Sequence, residues 1–205
     1  MKKYFLIVVA LISLTTFAFA GGDQNQTRHD GEIGEGPTQQ ERNANLTLDA
    51  LKGTQLDETQ KEIIYSIYEE EKVARDVYIT LGNLYPAEDT FANIQLSEQS
   101  QMDAVRNLCV KYGIEIPDDQ SVGFFSLEAM DALYKGFVDA GDDLILSAAL
   151  QVGIDIEIMD IADLGEALEY PNMPRDVQKV LTNLINGSIS HLDAFTNAFE
   201  RENIQ

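Results

Sequence analysis

The sequence predicts an all-α protein, a four-helix bundle with additional short helices. Three observations carry that prediction. Long segments repeat apolar residues with the period of a helix, prolines and glycines punctuate them at helix-sized intervals, and no stretch of any length alternates as a half-buried strand would. No internal repeat is evident.

The first main helix is expected to start near Asp57, which can cap it ahead of Glu58 and Gln60, and to run to about Tyr85, where Pro86 stops it. Asp89-Thr90 is expected to cap the second. That helix carries Phe91, Ile94, Met102, Val105, Leu108, Cys109 and Tyr112 on one face and ends at Gly113. A loop through Pro117 and Gly123 leads to a short helix, Leu127 to Ala140, terminated by Gly141. The third main helix is predicted over roughly Asp143 to Glu169, with Leu146, Leu150, Ile161 and Leu164 on its stripe. Gly153 lies on that stripe too and would allow a close helix approach. Pro171-Asn172-Met173-Pro174 reads as a turn, with Pro174 suited to the first turn of the last helix. That helix lines up Val177, Val180, Leu181, Leu184, Phe195 and Phe199.

Ahead of this domain, Met1-Lys2-Lys3, an apolar run to Phe17 and Ala18-Phe19-Ala20 read as a secretory signal peptide cleaved after Ala20; an uncleaved membrane anchor is the alternative. Residues 21–45 are polar, Gly-rich and aperiodic, the composition of a disordered linker, and His29 within it is assigned no role. Residues 46–205 form the helical domain. The expected location is therefore secreted or periplasmic, in a bacterium.

The 205-residue chain carries 14 Lys and Arg against 35 Asp and Glu, a net charge of −21. That charge argues against partners recognised through phosphates and against an anionic membrane surface. A plain solubility role accounts for it, and a cationic ligand is compatible with it. Cys109 is the single cysteine, so no intrachain disulfide and no thiolate zinc site can form. Its place on an apolar face reads as core packing.

Each main helix sets polar groups into its apolar stripe near mid-length. On the first, Ile67, Ala74, Tyr78 and Leu81 cluster at about 100° per residue; Glu71 falls about 40° from their centre, Glu70 at the edge, and Glu69 points the opposite way. On the second, Glu98 and Gln101 face inward; on the third, Glu157 and Asp160, three apart; on the last, Ser188 and His191. A carboxylate on a core-facing stripe is costly unless paired or neutralised. Carboxylates converging with an imidazole suit iron, manganese or zinc, and the three-apart spacing is that of di-iron carboxylate bundles. The candidate metal ligands are Glu71, Glu98, Glu157, Asp160 and His191. The alternatives are local. Glu71 would be a surface acid or a partner of Lys72, Arg75 or Arg106; Glu157 and Asp160 would be caps or solvated; His191 would be a satisfied core histidine; Tyr78 would pack or donate to a ligand.

Taken together, five segments resemble the ferritin-like domain-of-unknown-function family numbered 2202. They are Glu69-Glu70-Glu71-Lys72-Val73-Ala74-Arg75-Asp76-Val77-Tyr78; Phe91-Ala92-Asn93-Ile94-x-x-Ser97-Glu98-Gln99; Met102-Asp103-Ala104-Val105; Glu157-x-x-Asp160-Ile161-x-Asp163-Leu164; and Asn183-Leu184-x-x-Gly187-Ser188-x-x-His191-Leu192-x-Ala194-Phe195. The resemblance spans about Asp57 to Phe199. It implies a ferritin-like bundle and no particular reaction.

Two positions depart from the full di-iron pattern: Gln101 stands where Glu-x-x-His would place an imidazole, and Ser188 where a glutamate would precede His191. What remains would hold one metal, or two with water completing the shell, with iron or manganese as the cofactor. Oxygen or peroxide redox chemistry would follow if the metal is redox-active. The competing expectation is a non-enzymatic bundle with a degenerate site, acting as an envelope or protein-interaction module. No nucleophile elbow, phosphate loop or dinucleotide fingerprint is present.

Overall fold

In the computed structural model, residues 55–142 and 145–204 are described; the expected signal peptide and linker lie outside them. These residues form five helices and no strand: α1 (Glu58–Leu84), α2 (Asp89–Tyr112), α3 (Glu128–Gly141), α4 (Leu146–Glu169) and α5 (Arg175–Ile204). No helix among them is long and apolar enough to cross a membrane.

The order of the bundle follows from which residues meet. α1 packs chiefly on α2 and α4 chiefly on α5, with lesser contacts of α2 with α5 and of α1 with α4. Near one end, Ile64, Ile67 and Tyr68 of α1 share a core with Val105, Leu108 and Cys109 of α2, Leu164 and Ala167 of α4, and Val177, Leu181 and Leu184 of α5. Nearer the other end, Tyr78, Phe91 and Phe195 cluster with tilted rings, their centroids 4.9 to 6.3 Å apart. α1 and α5 therefore run one way, α2 and α4 the other. The connection carrying α3 returns the chain along the bundle, because two parallel helices cannot be joined by a tight turn.

The caps refine several boundaries. Asp57 accepts from the Gln60 amide at 2.8 Å while Gln60 Oε1 accepts from the Asp57 amide at 2.9 Å, a reciprocal capping box. Gln60 Nε2 also donates to the carbonyls of Pro171 and Asn172, tying the start of α1 to the turn before α5. The cap of α2 is Glu88 rather than Asp89-Thr90, its carboxylate taking the Thr90 amide at 3.1 Å. Gly113 ends α2 in the left-handed region at φ 67°, as its lack of a Cβ permits. Gly141 is the last residue of α3 rather than its stop, and it is buried against Leu81. α4 begins at Leu146, later than its Asp143 start was expected. The close approach expected at Gly153 is present: a Cβ there would sit 2.5 Å from the Phe195 ring.

α1 is the central strut. Every residue from Ile67 to Tyr78 is buried, since α2, α3, α4 and the loop ahead of α3 enclose it. Its charges must therefore be satisfied internally. Asp76, fully buried, receives Lys72 Nζ at 2.5 Å, Arg75 Nη2 at 2.6 Å and the Gly123 amide at 3.0 Å. Lys72 also donates to the Ser121 carbonyl and lies 4.5 Å over the Phe125 ring; Arg75 reaches Gln99 and the Gln120 carbonyl. This network fastens the loop to α1. Glu69, expected to face away from the core, is also buried: it takes the amides of Ser126 and Leu127, just ahead of α3, at 2.8 and 2.9 Å. The difference has a physical reason. Periodicity presumes that a helix has a solvent face, and this stretch has none.

Candidate metal centre

Three helices bring Glu98, Glu157 and His191 to one point. Each is buried, and each offers one ligand atom, all within 4.8 Å of one another. His191 Nδ1 lies 2.7 Å from Glu98 Oε1 and 3.5 Å from Glu157 Oε2. On its far side, His191 Nε2 is 2.7 Å from the Ser97 hydroxyl, which fixes the plane of the ring. Tyr78 donates to Glu157 Oε1 at 2.6 Å, leaving Oε2 turned toward the imidazole.

Glu71 and Asp160 stand outside that trio but inside its field. Both are buried, and with Glu98 and Glu157 they are among the charges acting on one another. Asp160 Oδ2 accepts from Ser188 at 2.5 Å. Ser188, which occupies the place of an expected glutamate, thus supports a carboxylate from the facing helix. Gln101 does face the centre, with Nε2 3.4 Å from Glu98 Oε2, and Gly187 leaves room for it: a Cβ there would lie 3.0 Å from Gln101 Oε1. The solvated, capping and surface alternatives for these acids do not hold. Lys72 and Arg75 are taken up by Asp76, so neither partners Glu71.

The unmade hydrogen bonds are the informative feature. Both oxygens of Glu71, Oε1 of Glu98, Oε1 of Gln101 and Nδ1 of His191 are buried without a hydrogen-bond partner. Such groups are rare because each forfeits its hydration. His191 Nδ1 and Glu98 Oε1 approach closely without hydrogen-bond alignment, as donor atoms do when aimed at a shared third point. Burial, with the charges of Asp160, Glu98 and Glu157, holds the Glu71 carboxyl well above the usual range. Burial does the same to Asp160, against the hydrogen bond from Ser188. Glu157 is pushed to about 7 by burial, with His191 opposing. For His191, burial lowers the pKa, but Glu157 and Glu98 together outweigh it and raise it to about 10. The centre therefore keeps protons that free side chains would have released. The donor set, carboxylate oxygens with one imidazole, fits a hard or borderline divalent ion.

The sequence pattern pointed to the four acids and the histidine of this region but not to Ser97 as the support of His191. Its only sequence signal was adjacency to Glu98.

The family described as an uncharacterised protein domain, DUF2202, matches residues 60–205. The chain belongs to the DUF2202 family. It is similar to the uncharacterised protein MJ0754 of Methanocaldococcus jannaschii, 41% identical over 149 residues, covering 72% of this chain and 79% of the relative. The crystal structure of that hypothetical protein superimposes with a TM-score of 0.69 at 40% identity, over 72% of this chain and 83% of the other. The match to the family covers all five helices, so the centre lies within the part of the chain that DUF2202 defines.

Proposed function

We propose that this DUF2202 protein binds a transition metal, iron or manganese, between Glu98, Glu157 and His191, with Glu71 and Asp160 available to complete or bridge the shell. The observation that carries the reading is the approach of His191 Nδ1 to Glu98 Oε1, 2.7 Å apart without hydrogen-bond alignment in a buried, carboxylate-rich cluster. The single crossover between α2 and α4 is the arrangement of ferritin-like bundles, which supports a bundle-core metal site. A bound redox-active metal would supply reaction with oxygen or peroxide. Around it, Ser97 orients the imidazole, Tyr78 holds one oxygen of Glu157, and Ser188 holds one oxygen of Asp160. The aromatic cluster of Tyr78, Phe91 and Phe195 keeps water from that end. A cleaved leader, as expected for residues 1–20, would put this chemistry outside the cytoplasm.

A second reading rests on the hydrogen bonds that are made. Tyr78 to Glu157, Ser188 to Asp160 and Gln101 to Glu98 would satisfy part of a polar core in a non-enzymatic interaction module. Metal counting separates the two. After reconstitution with Fe(II) or Mn(II), elemental analysis should find stoichiometric metal that Glu98→Ala abolishes. Wild-type loading no greater than that of a Glu71/Glu98/Glu157 triple-alanine protein would sink the metal reading.

A further inference from the structure

The buried centre raises the question of how an ion would reach it. On α4, Glu157, Asp160, Asp163 and Glu166 recur every third residue. Each such step turns back about 60°, so the row winds from the interior to the outside. Burial follows that winding: Glu157 and Asp160 are buried, Asp163 is half-buried and Glu166 is exposed. From α1, Glu70 faces this row. It is 6% exposed, its Oε1 takes the Ser66 hydroxyl at 3.0 Å, and its Oε2 is buried with no partner. Asp163 is the charge acting most strongly on Glu70, Glu70 acts on Asp160, and Asp160 acts on Glu71. No ion pair neutralises Glu70, Asp160 or Asp163 among the described residues, in contrast to Asp76 nearby.

The other approaches suit a cation less well. Lys72 and Arg75 place positive charge on another side of α1, aromatic rings close the Tyr78 end, and an apolar core closes the opposite end. The α2–α5 side offers the neutral Ser97 and Gln101.

We propose that Glu70 and Asp163 line an inlet by which divalent cations pass along the α1–α4 seam to the Glu98, Glu157 and His191 centre. This rests on the metal-binding reading above. Glu70, with its unpartnered oxygen, is the inner waypoint, and Asp163 and Glu166 are the mouth. A waypoint lowers the barrier in both directions, so its loss slows association and dissociation alike and leaves affinity in place.

The test is stopped-flow binding of Co(II), followed by its visible absorption, to the full-length protein. The variants are Glu70→Gln, Asp163→Asn and Asp163→Lys, with Asp155→Asn as an exposed control of equal charge change on the same helix. Expected is association about tenfold slower in Glu70→Gln and Asp163→Asn, and slower still in Asp163→Lys, within the range electrostatic focusing supplies. Saturating Co(II) per chain and the dissociation constant should match wild type, and the control should bind at the wild-type rate. Unchanged rates in all three variants, with binding intact, would overturn the inlet and leave the centre standing. Weakened affinity at an unchanged association rate would also overturn it, making Glu70 a support of the centre instead. No binding to wild type would remove both.

Discussion

His191 Nδ1 and Glu98 Oε1 lie 2.7 Å apart, both buried, and no hydrogen bond joins them. A cation between such groups recovers what burial took from each, and it binds only the folded chain. At a free metal concentration of about 100 times the dissociation constant, that linkage contributes about 2.7 kcal/mol. Mn(II) should accordingly raise the melting temperature by about 5–10 °C. Scanning calorimetry of Glu98→Ala should show no such shift.

The metal-free protein should lose stability as pH rises. Glu70 and Glu157 ordinarily titrate near 4.5 and are held at about 7 in the fold, so between those values the folded chain binds protons the unfolded chain has lost. His191 is raised from 6.5 to about 10, so its contribution is full below 6.5 and is lost as pH rises through 10. Both effects have the same sign. Thermal melts of chelator-treated protein should fall by roughly 5–10 °C between pH 5 and pH 8, and a flat profile would contradict the buried-proton account.

Glu71 has no hydrogen-bond partner for either oxygen. Replacing it by glutamine removes a buried acid surrounded by acids and supplies a donor toward Glu98. Glu71→Gln should stabilise the metal-free protein by about 1–3 kcal/mol in urea unfolding. The same change should weaken Mn(II) binding. Stabilisation without any loss of affinity would remove Glu71 from the ligand set.

Gln101 occupies the position at which an imidazole would complete a Glu-x-x-His pair, and its Oε1 is unpartnered. Gln101→His should tighten Mn(II) binding by about tenfold, the scale of one added ligand. Calorimetric titration would read it directly, and an unchanged affinity would mean that the introduced ring turns away from the centre.

Asp76 neutralises two buried cations at once. Asp76→Ala should cost about 3–5 kcal/mol, because Lys72 and Arg75 would be left buried and unpaired. Limited proteolysis should then cut within residues 117–125, the loop those three residues fasten.

The helix order, the apolar stripes and the inward Glu71, Glu98, Glu157, Asp160 and His191 were all legible in the sequence, because a 3.6-residue period reports directly on facing. The buried roles of Glu69, Lys72, Arg75 and Asp76 were not. They depend on α1 being enclosed on every side, and enclosure comes from the crossover loop, which has no period to read. Ser97 was missed for a related reason: its task is set by a histidine on another helix, and no local pattern announces it.

Glu69, Glu70 and Glu71 send three consecutive carboxylates in three directions: to the start of α3, toward Asp163, and into the centre. A single-residue insertion or deletion in α1 ahead of Glu69 would turn this face by about 100°. After an insertion Glu69 and Glu70 would arrive at the destinations of Glu70 and Glu71, leaving the Ser126 and Leu127 amides without their acceptor, and Lys72 and Asp76 would turn together away from Ser121 and Gly123. Substitutions can be absorbed one at a time, but the length of α1 cannot drift. Among homologous chains, gaps should fall in the connections around α1 and not within Ile67 to Tyr78.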